Sequence, residues 1–437
     1  MPHLRPLLAL LLLALFASSS APGQEPAGLL LNARDFGAKG DGVADDTAAL
    51  QAALVALSQP GAPGELWIPA GTYRITRTLL LEAQQGRTIR GAGCTKFEPQ
   101  PARGAQVTLL AWDGPPGGVL LETVGIGGCS FERLNLAGVL PAKRKELLQR
   151  NQPVPQAGIL YLGRSGRGYG NMLNRLTAMT FFHADVGLQM ARDQGEVCAS
   201  DMLLQNLTLV TLGTGFKVVN DQGVNYLFNF LFATECDRVL HFERGGQVLV
   251  QNAQITCCGL FLDIGGGGRC NGVFLCQNVH LEGAGRRGAE QRWRLLRVAP
   301  HWEQVNVGFT GFVDAQWYWA KNQSATRELP LCEIGPGASV TFQNSIFNSP
   351  VAQVTGAAGK PATLVVRDSS FGYVSPLKGA FAANAHGYVR TRNCRDDHAN
   401  PANPVSLLPD FSKWPDLPPV RLEAQGELKL DTAGIVW

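Results

Sequence analysis

The sequence predicts an all-β fold: a single-stranded right-handed parallel β-helix of about ten coils, with an N-terminal capping α-helix. Three observations carry this reading. A short motif ending in Asn or Asp recurs with a step near two dozen residues: Asn206 to Asn229 is 23, Asn229 to Asn252 is 23, Asn252 to Asn278 is 26, Asn344 to Asp368 is 24 and Asp368 to Asn393 is 25. Around each copy the residues alternate apolar and polar, as in Leu204-Gln205-Asn206-Leu207-Thr208-Leu209 and Val250-Gln251-Asn252-Ala253-Gln254-Ile255, which is the period of a strand. Near the N-terminus a turn crowded with Gly and Asp runs directly into a short helical pattern, as expected of a lid on a solenoid. No long stretch has a 3.6-residue period, so a helical repeat is excluded.

Taken in order, Asp35-Phe36-Gly37-Ala38-Lys39-Gly40-Asp41-Gly42 reads as a tight turn with left-handed glycines. Asp45 or Asp46 then caps a helix whose Leu50, Leu54 and Leu57 share one face. Leu66-Trp67-Ile68, Pro69-Ala70-Gly71 and Thr72-Tyr73-Arg74-Ile75 read as strand, turn and strand. The run from Asp35 to Leu54, followed by Leu66 to Ile75, resembles the N-terminal signature of the pectate-lyase-like superfamily, with its rhamnogalacturonase-like and epimerase-like enzymes. The close match covers roughly residues 33 to 93. The resemblance implies the β-helix and carbohydrate chemistry; the acids and glycines of the motif build the cap and carry no catalysis.

Further along, copies of the motif at Leu227 to Phe232, Cys276 to Leu281, Phe342 to Phe347, Val366 to Phe371 and Thr391 to Asn393 each mark one coil. Equivalent residues of adjacent coils stack about 4.8 Å apart, and Asn at a turn can donate to one neighbour and accept from the other, so the asparagines form a ladder. The expected organisation is a single domain over 24–437. It comprises the cap and first strands at 30–93, coils at 94–395 with inserted loops near 141–155, 286–293 and 317–327, and an irregular C-terminal cover at 396–437.

Composition fits this plan. The chain has 437 residues, 45% of them apolar, and 51 glycines without a collagen-like period, as suits many short strands and turns. A formal charge of +3 with no block of like charge gives no electrostatic footprint for nucleic acid. Residues 1–23 carry Arg5, an apolar run from Leu7 to Ala17 and a small-residue end, the layout of a signal peptide, so a secreted or periplasmic location is expected. No segment of the mature chain is long and apolar enough to span a membrane. The ten cysteines include no CxxC pair, and Cys236, Cys257, Cys258, Cys270 and Cys276 sit in strand-like apolar runs where thiols act as small hydrophobes.

Chemistry in a β-helix belongs to outward columns of stacked side chains. One expected strip contains Thr208, Leu231, Gln254 and His280, with Thr256 and Glu282 two residues on. A second aligns Gln189, Lys217, His241 and Phe261 in one column and Val219, Glu243 and Asp263 in the next. Gln189, Phe261, Gln254, His280 and Glu282 are the candidate substrate contacts; Lys217, His241, Glu243 and Asp263 are the candidate catalytic residues. A lyase needs a base beside a uronate carboxyl group and a cation or metal to hold the developing charge. Lys217 or His241 would be that base, and Glu243 or Asp263 would hold Ca²⁺. A glycosidase instead needs two carboxyl groups, for which Glu243 and Asp263 are the pair. The Asn-Thr-Asp, Gly-His-Gly and Arg-Ile-Lys sets of polygalacturonase-like enzymes are absent. The expected function is an exported polysaccharide lyase or glycoside hydrolase acting on an acidic, uronate-containing polysaccharide. Its alternative is a non-catalytic glycan-binding or cell-surface structural β-helix, and the sequence leaves the oligomeric state open.

Overall fold

The computed structural model describes residues 30–96, 106–143, 160–164, 170–194, 199–265, 271–282, 294–299, 304–315, 330–349, 351–371 and 380–396. The expected signal peptide, the loops expected at 286–293 and 317–327, most of that at 141–155 and, from 397 on, the expected C-terminal cover lie outside these residues.

The chain winds through three faces, and each strand pairs in parallel with its counterpart one turn away. In a typical winding, Val224–Thr234 serves the first two faces and Arg238–Phe242 the third. The long strand bends between its halves, so Gln205 pairs with Asn229 on one side of the bend and Leu207 with Leu231 on the other. The third face is a sheet of eleven described strands, from Leu79–Glu82 to Phe381–Ala383, in which spatial order follows chain order. Parallel strands with this connectivity form a solenoid, and one residue of slip would turn every apolar side chain outward.

The pattern buried, half-buried, buried along Val248, Leu249, Val250 repeats from turn to turn, and the inward residues stack into one continuous core. Aromatic rings fill it. Phe216 packs edge-on against Phe228 at 5.0 Å, and Phe242 against Phe274 at 5.1 Å. Further down, Phe309 and Phe342 stack at 4.8 Å. Each such ring contributes roughly 2–3 kcal/mol by burial. Eight cysteines are described, all are free thiols, and five of them are buried.

The N-terminal motif builds the lid in a slightly different way from its reading as a cap. The helix is Thr47–Leu57, and Leu50, Ala53, Leu54 and Leu57 are buried against the first coil. Asp46 precedes it without capping it: its carboxylate accepts from the Lys39 and Gly40 amides at 2.6 and 3.1 Å, fixing the turn. Asp45 takes the capping part, accepting from the Thr47 amide at 3.0 Å. The helix also covers the open edge of the third face, where Gln51 accepts from the Leu80 amide at 2.8 Å and donates to the Leu80 carbonyl at 3.0 Å. The carboxylates of Asp45 and Asp46 thus hold the turn and the first residue of the helix.

Two register expectations are corrected. The left-handed residue between the first two faces is Asn206, Asn252, Asn278, Asn344, Asp368 and Asn393 in their coils, but it is Phe230 and not Asn229 in the coil between 206 and 252. The steps there are 24 and 22 residues rather than two of 23. In consequence Leu231 points into the core, and Phe232 takes the outward place between Thr208 and Gln254.

Candidate functional site

The third face gathers most of the expected catalytic set. Its central outward column runs Gln189, Lys217, His241, Asp263, Arg297, Glu333, one residue per turn. The sequence alignment places Asp263 one column too far on, beside Glu243; the pairing of Leu240 with Leu262 puts it directly next to His241. Phe261 is correspondingly wrong as a sugar contact. It pairs with the inward Val239, its exposure is 0%, and its ring belongs to the core.

Asp263 is the hub. It is fully buried, and Arg297 holds it in a two-pronged grip, with Nε to Oδ1 at 2.8 Å and Nη2 to Oδ2 at 2.7 Å. Arg238 approaches the same Oδ2 to 3.5 Å. The grip raises the Arg297 pKa further above its usual value, through the hydrogen bond to Asp263 above all. A carboxylate buried between two guanidinium groups does not fit a calcium site, nor the second carboxyl group of a glycosidase. Among the described residues no cluster of three metal-binding side chains occurs.

His241 lies above this hub and is buried. Arg238 Nη1 sits 3.1 Å from its Nδ1, and since a guanidinium can only donate, Nδ1 accepts there. The proton of the neutral ring is therefore on Nε2, which donates to the Gly265 carbonyl at 3.2 Å. Burial depresses its pKa below the ordinary 6.5, against the opposing pull of Asp263, so the ring is neutral at pH 7. Lys217, one turn up, forms an ion pair with Glu243 at 2.8 Å, and both are partly exposed. Arg294 and Glu333 pair at 2.5 Å on the turns below.

An open recess of about 510 Å³ lies over this column, with His241, Glu243, Gly265, Arg297 and Glu333 in its wall. Arg238, Arg297 and Glu333 are missing from the sequence expectation. Arg238 belongs to none of the expected columns, yet it points into the site. Arg297 is 34 residues beyond Asp263, so the insertion between them hides that they share a column.

The other expected strip lies on the second face and is separate from the recess. Its column is Thr180, Thr208, Phe232, Gln254, His280, with Thr234, Thr256 and Glu282 beside it. Lys96 crosses it, its ammonium 3.7 Å from the centre of the Phe232 ring. Gln254 is exposed, His280 and Glu282 are half-buried, and His280 Nε2 is shielded without a hydrogen-bond partner.

Comparison with known proteins extends the picture. Residues 30–108 match the family described as rhamnogalacturonase A/epimerase, pectate lyase-like. The mannuronan C5-epimerase AlgE1 of Azotobacter vinelandii is 56% identical over 45 residues, 10% of this chain and 3% of the relative. Alginate lyase 7 of the same organism is 51% identical over 45 residues, 10% of this chain and 5% of its own length. The matched segment thus spans only a small part of these relatives. Among solved structures, the catalytic unit of an α-1,3-glucanase from Streptomyces thermodiastaticus aligns over 91% of this chain and 73% of its own at 14% identity, with a TM-score of 0.46.

Proposed function

From the premise that the chain belongs to the pectate-lyase-like superfamily, we propose that it is a carbohydrate-active β-helix protein working on a uronate-containing polysaccharide by proton transfer at the carbon beside the carboxyl group. The observation that carries this reading is the company kept by His241: a neutral imidazole on an open recess, with Lys217, Glu243 and Arg297 around it. Two relatives that share the N-terminal segment are named for a C5-epimerase and an alginate lyase, and both names describe chemistry that begins with removal of that proton.

In this reading the cations receive the sugar carboxylate. A carboxylate drawn to Arg238 competes with His241 for the guanidinium and uncovers the Nδ1 lone pair, which then takes the proton. Lys217 and Arg297 offset the charge that moves onto the carboxyl group. If the proton returns to the opposite face, the sugar is epimerised. If the electron pair instead expels the neighbouring glycosidic oxygen, the chain is cleaved with a new carbon–carbon double bond. Hydrolysis is disfavoured because Asp263 is inaccessible and clamped. Export through the leader at residues 1–23 would bring the protein to its polymer.

The test is incubation of the full chain with polymannuronate and polygalacturonate in D₂O. Ultraviolet absorbance marks the lyase, deuterium at C5 without absorbance marks the epimerase, and reducing ends without either mark the hydrolase and refute the proposal. Lys217→Ala should lower turnover about tenfold or more, in line with loss of one charge-stabilising group. A second reading, glycan binding without catalysis, draws on the pairing of every carboxylate of the strip with a cation; binding to both polymers without any of the three signals would establish it.

A further inference from the structure

The corner between the first and second faces is a column of left-handed residues. From Arg133 to Asn393, Asn, Asp, Gly, Arg and Ala occupy every other place in this column, all with φ between 51° and 69°. Phe230 stands in this column with φ 59° and 56% of its surface exposed. Both properties are costly for a phenylalanine: the conformation crowds its Cβ, and more than half of the residue's surface forgoes burial. It also interrupts the amide ladder. Asn278 donates to Asn252 at 3.2 Å, but Asn252 finds no amide at 230 and reaches instead to Asn229, one residue earlier, at 3.4 Å. Strain kept in place by the surrounding coils points towards function.

We infer that Phe230 is a stacking platform for one pyranose ring of a polysaccharide, at a site remote from the recess; this rests on the reading that the protein handles polysaccharide. The neighbourhood suits a sugar. Gln205, Asn229 and Gln251 form an outward column beside the corner, and Asn206 and Asn252 stand above and below the ring. An apolar ring face flanked by planar amides complements a pyranose, whose CH groups lie on one face and whose hydroxyls ring its edge. The column next to the ring is made of amides, Gln205, Asn229 and Gln251, with the outward leucines Leu227, Leu249 and Leu275 beyond it, and amides at the ring's edge suit the hydroxyls of a sugar. Stacked coils repeat about every 4.8 Å, so a polymer lying along the axis can rest one residue on the ring while others meet the amides.

The experiment uses the full chain, measuring affinity for polymannuronate and polygalacturonate and, separately, turnover of uronate oligomers too short to reach from the recess to the corner. Phe230→Asn should weaken polymer binding at least fivefold, leave oligomer turnover unchanged and melt no lower than the parent. Phe230→Trp should keep the parent affinity, and Phe230→Leu should be as weak as the Asn variant. Equal polymer affinity in parent and Phe230→Asn, or in parent and Phe230→Leu, overturns the platform while leaving the proposed function intact. Failure of the parent to bind or convert any uronate polymer overturns both.

Discussion

Replacing Asp263 by Asn keeps the shape of the hub and removes its charge, which makes it the most direct probe of the third-face strip. Asn can accept from one prong of Arg297 but presents an NH₂ group to the other, so one charge-assisted bond of 2.7–2.8 Å is lost and the second is weakened. Bonds of this type contribute roughly 1.5–3 kcal/mol each. Arg297 and Arg238 have side-chain exposures of 40% and 38%, so water recovers part of what they lose. The expected net destabilisation is about 2–3 kcal/mol, read as a shift in the denaturant midpoint at constant slope. Glu333→Gln, which opens the Arg294 pair, whose carboxylate is 33% exposed where that of Asp263 is fully buried, should cost less than about 1 kcal/mol. The same Asp263 variant removes an influence that raises the His241 pKa, so the imidazole should titrate at lower pH in an NMR titration. A stability change within about 0.5 kcal/mol of the parent, or a His241 titration that moves upward, would refute the hub.

Other expected outcomes can be checked on the same protein. Phe342→Ala removes a ring that packs against Phe309, Phe312 and Phe347, and should destabilise the fold by about 3–5 kcal/mol in equilibrium denaturation. His241 has a depressed pKa in the folded state, so the unfolded chain binds its proton first; stability should fall as pH drops through 6.5 towards the folded value, and His241→Gln should flatten that segment of the profile. Burial opposes ionisation of Asp113, but hydrogen bonds from Lys143 and Arg74 outweigh it and hold its pKa below 3.8. Its contribution is therefore present above that pH and lost in more acid solution, and Asp113→Asn should remove this acid-side loss.

The solenoid is legible in the sequence because its period and its in-out alternation are enforced by packing along the whole length. Register is harder. In Leu227-Phe228-Asn229-Phe230-Leu231-Phe232 nearly every residue is apolar, so the alternation reads equally well in two registers, and the one Asn attracts the corner assignment. Packing decides otherwise, with Phe228 and Leu231 turned inward on either side of Phe230. The third-face error has a similar source. Gly187 and Gly215 precede inward residues of that face, which invites Gly259 into the same place, yet Gly259 bonds to the turn carbonyl of Cys236 two residues before the strand position. Thus Lys217 and His241 are found in their expected column, whereas Asp263 is displaced by one column and Phe261 by a full inversion.

Stacking of parallel strands in register also explains why the charged column has the order it does. Equivalent side chains repeat about every 4.8 Å, a distance at which two like charges repel by about 1 kcal/mol even in water and by more near a protein surface. The column answers with alternation: cationic Lys217, neutral His241, anionic Asp263, cationic Arg297, anionic Glu333. Burial keeps His241 neutral where a second cation would stand between Lys217 and Arg238, and Lys217 is relieved sideways by Glu243. Under the proposed function, an arriving polyanion keeps this pattern: its carboxylate would displace Glu243 from Lys217 or the His241 lone pair from Arg238, both partly exposed cations, and so free the two groups that the proposed proton transfer uses.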